Sequence, residues 1–200
     1  MSKINALCVY CGSNQGTDPA FVKAAHEFGK ILAQNQVQLV YGGGSVGLMG
    51  ALATAVLDNG GAVTGIIPEF LTERERPRRL TQELIVTRDM HERKWTMFER
   101  ADGFVALPGG IGTLEELVEQ LTWAQLGRHK KPILIANING YWDPLLTLLA
   151  HMRELKFVPT TMRVDFLVAT RVEEILPKLR DAARRVAQAE KTMAVPAQRM

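Results

Sequence analysis

The sequence predicts an α/β protein, a three-layer doubly wound parallel sheet of the Rossmann-like, nucleotide-binding kind. Three observations carry that prediction. Short apolar runs alternate with segments of helical length and periodicity along the chain, the pattern of successive β-α-β units. Two of the runs pass through a glycine-rich turn straight into a helix, at Gly42 and again at Gly109. No internal repeat and no linker splits the 200 residues, a length that suits one domain with its own core. The domain is expected over residues 1–187. Residues 188–200 carry little apolar periodicity and are expected to form a flexible tail.

In chain order, ALCVY at 6–10 is the first strand. Cys8 and Cys11 make a C-x-x-C, but positions three apart on a strand face opposite ways, so they read as buried thiols rather than a redox or zinc motif. Gly12-Ser13-Asn14 follows at the strand end where open α/β sheets hold ligands. Ser13 there either supplies a hydroxyl and amide contact or belongs to an ordinary turn. A helix over 19–34 and a strand over 38–41 lead to Gly42-Gly43-Gly44-Ser45-Val46-Gly47, which satisfies G-x-G-x-x-G ahead of a helix over 48–59. Alone this would be a dinucleotide fingerprint. Its position after the second strand, and a further glycine turn after the fifth, favour a nucleotide monophosphate held by two converging loops, with Gly43 and Gly44 among its contacts.

A third strand over 62–67 runs into EFLTERERPRR at 69–79, dense in both charges. Such a stretch is a solvated loop, or a lid that carries Glu75 or an arginine to a ligand. After a strand over 84–87, Asp89 and Glu92 form a capping box for a helix over 90–101, whose apolar stripe is Met90, Met97, Phe98 and Ala101. Arg93 and Lys94 sit on the edges of that stripe. They read either as structural ion pairs and snorkelling cations or as groups facing a bound phosphate and sugar. Trp95 lies off the stripe, where a partner subunit would cover it.

The chain is organised around GFVALPGGIGTLEE. A strand over 103–107 ends at Pro108, and Thr113 with Glu116 reads as a capping box for a helix over 114–126. A strand feeding a glycine turn into a helix start is an anion site, because free N–H groups and the helix dipole both favour negative charge. Gly109, Gly110, Ile111, Gly112 and Thr113 are therefore expected to hold a phosphorylated small molecule. Glu116 stands beside them, either as a helix cap or as the group that does chemistry. Leu114, Leu117, Val118 and Leu121 form the core stripe of this helix, and Trp123 on another side points to a subunit interface. Strands over 132–138 and 166–169, with helices over 144–155 and 172–187, complete the alternation.

Basic residues number 24 and acidic ones 21, and from Arg171 onward the balance is seven to four, so the basic excess belongs to the C-terminal segment. No basic stripe is interleaved with aromatics, which argues against a nucleic-acid partner. No apolar run approaches the roughly 20 residues of a membrane span, and the N-terminus lacks a signal-peptide pattern, so a cytoplasmic protein without a membrane partner is expected. No residue group suggests a metal or a resident cofactor.

PGGIGTLEE, with MHERK upstream, LTWAQLG downstream, CVYCGS at 8–13, YGGGSVGLMG at 41–50 and GIIP at 65–68, closely resembles the Lonely Guy (LOG) family of cytokinin-activating phosphoribohydrolases. The resemblance runs from the first strand to about Pro159. It implies hydrolysis of the N-glycosidic bond of a purine riboside 5′-monophosphate, releasing ribose 5-phosphate and a free base, either adenine from AMP or an N6-modified adenine. It also implies that Arg93 and Glu116 are the catalytic pair and that Glu75, Lys94, Gly110, Ile111, Gly112, Thr113 and Thr122 contact substrate. A homodimer or larger homo-oligomer is implied as well. The older label of these proteins, lysine decarboxylase, does not suit the sequence, which shows no Schiff-base lysine grouped with partners for pyridoxal phosphate. The alternative is a nucleotide-binding module of the same fold without catalysis.

Overall fold

The computed structural model describes residues 4–72, 81–158 and 165–194. Its strands are β1 (Ala6–Tyr10), β2 (Gln38–Tyr41), β3 (Val63–Pro68), β4 (Glu83–Thr87), β5 (Gly103–Ala106), β6 (Ile133–Ala136) and β7 (Leu167–Ala169). The helices are α1 (Pro19–Gln34), α2 (Gly47–Asp58), α3 (Met90–Arg100), α4 (Ile111–Gln125), α5 (Asp143–Glu154) and α6 (Ile175–Ala194). All seven strands pair in parallel, in the order β4-β3-β2-β1-β5-β6-β7. This is the expected three-layer Rossmann-type fold.

The strand period of two divides the core between the sheet's faces. Leu7 and Val9 of β1 join Phe28 and Leu32 of α1, Leu52 and Val56 of α2, and Leu176 and Leu179 of α6. Cys8 and Tyr10 turn the other way and pack with Met97 of α3, Leu117 and Leu121 of α4, and Trp142 beside α5. The thiols of Cys8 and Cys11 are free, buried, and belong to opposite faces, as their spacing on an extended chain requires. Truncating a core residue as enclosed as Phe28, which has no exposed surface, costs about 3–5 kcal/mol. The second face is covered more thinly, since α5 has no fully buried residue.

β1 lies between β2 and β5. From it the sheet grows one way through β2, β3 and β4 and the other way through β5, β6 and β7. The connections after β1 and β5 therefore lead to opposite faces of the sheet, to α1 on one and α4 on the other, which places a crevice at the C-terminal ends of these two strands.

Two elements differ from expectation. Helix α4 begins at Ile111 with Gly110 as its N-cap, three residues before the position assigned from the Thr113 and Glu116 pattern. Thr113 is buried inside the first turn, where its side chain packs against Gly109 rather than capping the helix. The C-terminal helix continues to Ala194, past the expected end at 187, and Glu190 on it pairs with Lys130 at 3.3 Å. No helix among the described residues is long and apolar enough to cross a membrane.

Candidate active site

Three loops meet at Gly12. Its N–H donates to the Pro108 carbonyl at 3.0 Å, and its own carbonyl accepts the N–H groups of Leu48 at 3.0 Å and Met49 at 3.3 Å. The first turn of α2 is thus turned onto the backbone of the first loop. The glycine loop at 42–47 builds the crevice wall, and the N-terminus of its helix is occupied by Gly12. That disposes of the dinucleotide reading of G-x-G-x-x-G here, because the pyrophosphate would need those same N–H groups.

The start of α4 is free to play that role. Gly110 has an extended backbone, φ −84° and ψ −159°, and makes no side-chain cap. The first intrahelical bond runs from Leu114 N–H to the Gly110 carbonyl at 3.0 Å. The N–H groups of Ile111, Gly112 and Thr113 therefore have no acceptor within the helix. Gly109 is fixed by close approach, since a β-carbon there would run into the Thr113 side chain and the Gly12 nitrogen.

Arg93 of α3 is 6 % exposed. Its Nε donates to the Ile66 carbonyl and its Nη2 to the Gly42 carbonyl, each at 3.0 Å, so one guanidinium ties α3 to the ends of β2 and β3. Nη1 lies 3.7 Å from the Met90 sulfur. A guanidinium has five N–H donors, and two of Arg93's are used on carbonyls, which leaves charge and donors for the crevice.

Arg93, Glu116 and residues 110–113 line one cavity of about 310 Å³, with Ser13, Gly42 and Met90 among its other walls. Because α4 opens at Ile111, Glu116 falls in the second turn, out of reach of a capping box. The purely helical reason for a glutamate at this position thus falls away. Cys11 and Glu115 also reach the cavity. Burial, with the Glu116 charge adding to it, pushes the Cys11 thiol far up, so it stays protonated and is a poor nucleophile. Glu115 is engaged by Lys94 at 2.6 Å. Among the described residues the cavity therefore brings together the Arg93 guanidinium, the Glu116 carboxylate and a helix N-terminus, a set suited to a phosphorylated substrate whose reaction develops positive charge.

Known proteins resemble this chain in sequence and in fold. A family model described as "Possible lysine decarboxylase" matches residues 49–179. A rice (Oryza sativa subsp. japonica) protein named probable cytokinin riboside 5′-monophosphate phosphoribohydrolase LOG4 is 46 % identical over 180 residues, covering 90 % of this chain and 78 % of its own. The Arabidopsis thaliana phosphoribohydrolase LOG3 is 44 % identical over 91 % of this chain and 85 % of its own. The chain belongs to the LOG family. Among solved structures, the Moco carrier protein of Chlamydomonas reinhardtii has a TM-score of 0.68 at 20 % identity, over 92 % of this chain and 99 % of that one. The molybdenum cofactor binding protein of Rippkaea orientalis has 0.67 at 21 %, over 90 % and 97 %. At that identity the likeness concerns the fold alone.

The structure distributes the site residues expected from the sequence unevenly. Arg93, Glu116, Gly110, Ile111, Gly112, Thr113 and Ser13 line the one cavity. Gly109 lies just behind it, in a smaller chamber of about 200 Å³ that shares Ser13 and Gly110. Gly43 and Gly44 are buried outside the lining, and Gly42 takes their place. Lys94 is turned to α4, where it pairs with Glu115 and with Glu119 at 2.9 Å. Desolvation works against its charge, but the two carboxylates outweigh it and raise its pKa. Thr122 is exposed, with its hydroxyl donating to the Val118 carbonyl at 2.8 Å. Glu75 lies outside the described residues. Sequence reasoning missed Gly42 and Tyr141. Gly42 had a local signal, as the glycine next to the strand end, whereas Tyr141 is brought in by the fold from 32 residues away.

Proposed function

We propose that this protein hydrolyses the N-glycosidic bond of purine riboside 5′-monophosphates, cytokinin nucleotides with an N6-modified adenine or AMP itself, to a free base and ribose 5-phosphate. The observation that carries this reading is the shared cavity in which Glu116 and Arg93 face the glycine-opened start of α4. In the reaction the C1′–N bond breaks, a water oxygen bonds to C1′, and the departing base takes up a proton. The sugar passes through an oxocarbenium-like state, which the Glu116 carboxylate stabilises while it orients the water. The N–H groups at 110–113 hold the 5′-phosphate, so that binding energy remote from C1′ serves the reaction. Arg93 holds the phosphate or positions Glu116. The names of the relatives, and the identity shared with them, support the substrate class.

The working form is a homodimer or larger homo-oligomer, built on the aromatic surface of α3 and α4. Trp95 there is 42 % exposed and lies 5.9 Å from Trp123, ring centre to ring centre. Lys94 and Thr122 belong to the same two helices, so their substrate contacts would depend on what this face meets. The two free thiols suit a reducing compartment such as the cytoplasm.

The test is product chromatography after incubation with AMP and with isopentenyladenosine monophosphate, for the unaltered protein and for Glu116→Gln. Base and ribose 5-phosphate released by the unaltered protein, with turnover lowered by about two or more powers of ten in the variant and nucleotide affinity little changed, is the expected result. Saturable binding without release of base would instead identify a binding module.

A further inference from the structure

Tyr141 stands on the opposite side of the glycine turn from Arg93 and Glu116. It follows a short 3₁₀ turn, Ile138–Gly140, whose shape is set by side chains. Asn137 donates to Asp143 Oδ1 and accepts the Trp142 N–H, both at 2.7 Å. Asn139 donates to Asp18 Oδ2 at 2.9 Å, which anchors the turn to the start of α1. Phe21 of α1 packs edge-on against the Tyr141 ring at 5.3 Å. The result is a phenol delivered to the Gly109 carbonyl, to which its hydroxyl donates at 2.5 Å.

A planar trans peptide points its carbonyl and the following N–H in opposite directions. With the Gly109 carbonyl turned to Tyr141, the Gly110 N–H is turned away from it. Gly110 lines both chambers, whereas Tyr141 lines only the smaller one. Glycine on both sides leaves this peptide little intrinsic preference against flipping. We propose that Tyr141 is a positioning residue for phosphate recognition, holding the 109–110 peptide with its N–H directed at the substrate phosphate. The hydrogen bond also polarises the peptide and makes that N–H a stronger donor. The inference rests on the reading that this turn holds the 5′-phosphate.

Tyr141→Phe keeps the ring and its packing and removes the donor. Calorimetric titration with ribose 5-phosphate reads the effect without turnover. The expected result is affinity weakened roughly five- to tenfold, the worth of one oriented hydrogen bond, with a melting midpoint moved by less than about 2 °C. In turnover of the nucleotide, kcat/KM falls by at least a similar factor, since the phosphate's binding energy also serves the reaction. Unchanged affinity for ribose 5-phosphate overturns the proposal, as does a loss accompanied by a large fall in melting midpoint, or no binding of ribose 5-phosphate by the unaltered protein. Failure of the unaltered protein to release base while still binding ribose 5-phosphate would sink the hydrolase reading alone. Should Tyr141→Phe fail to fold, Phe21→Leu loosens the phenol from one side. It must then weaken ribose 5-phosphate without moving the melting midpoint, and unchanged affinity counts against the proposal.

Discussion

Arg93 and Gly42 are fitted to one another: the Arg93 Nη2 donates to the Gly42 carbonyl at 3.0 Å, and a side chain on Gly42 would collide with that nitrogen. The absence of a β-carbon is what lets a guanidinium lie flat across the end of β2 with its remaining donors toward the cavity. Gly42→Ala must therefore move Arg93. A displacement of about 1 Å at a reacting site can cost 10²-fold, so kcat/KM for the nucleotide is expected to fall by about that factor, with about 1–3 kcal/mol of stability lost to overpacking. Steady-state kinetics beside chemical denaturation checks both, and unaltered kinetics would mean that Arg93 acts from wherever it is placed.

Removing the cation separates structural from chemical roles. Arg93→Met leaves the carbonyls of Ile66 and Gly42 without their donor in a buried place. Each unsatisfied group costs about 1–3 kcal/mol, so a melting midpoint lower by roughly 5–10 °C is expected. Glu116→Gln, at a half-buried position on the cavity wall, should melt within about 2 °C of the unaltered protein while losing turnover. A Glu116→Gln protein that melts as low as Arg93→Met would give Glu116 a structural task instead.

The alternation of apolar and helical segments carried the sheet and its flanking layers, because burial on both faces leaves strands such as β1 no other composition. Local patterns misled where two roles call for the same residues. Thr113 and Glu116 have the spacing of a capping box, yet Gly110 can cap through backbone alone, and the helix starts earlier. The G-x-G-x-x-G loop reads as a ligand motif because its glycines allow close approach. What approaches is the backbone of Ser13 and Asn14 at Gly47 and the side chain of Arg93 at Gly42. Neither partner is named by the loop itself. The contact between Tyr141 and Gly109 had no sequence signal at all, since it exists only once β6 lies beside β5.

His129 gives the fold a pH dependence with a definite sign. Its ring lies against Phe98 and Phe104, its Nδ1 accepts the Lys131 N–H at 3.1 Å, and its Nε2 faces the Gln120 carbonyl at 3.3 Å, a pattern that suits the neutral imidazole. Burial lowers its pKa below the ordinary 6.5, and the Lys131 charge adds to that. The unfolded chain then binds the proton more readily than the folded one. Stability contributed by the neutral ring is fully present above pH 6.5 and is lost as pH falls from there toward the folded pKa. Melting curves from about pH 8 to about pH 5 should show a decline that is shallower in His129→Phe. An identical decline in both would assign the effect to other groups.

The face of α3 and α4 makes the proposed oligomer testable without touching the cavity. Trp95 packs on Phe98 at 5.5 Å and on Trp123 at 5.9 Å, and it remains 42 % exposed. An aromatic cluster left half-covered on one chain is the kind of anchor that carries an interface, where truncation costs about 2 kcal/mol or more. In a two-fold dimer the same residue is lost twice, so Trp95→Asp should raise the dissociation constant by at least about 10³-fold. Sedimentation at micromolar concentration is expected to find the unaltered protein at a multiple of its 22.2 kDa chain mass and the variant at that mass itself. Because Trp95 projects outward from α3, while Arg93 and Met97 carry its buried side, the variant should keep the melting behaviour of an isolated folded chain. A variant that stays assembled would move the interface to another surface, and with it any substrate contact expected of Lys94 and Thr122.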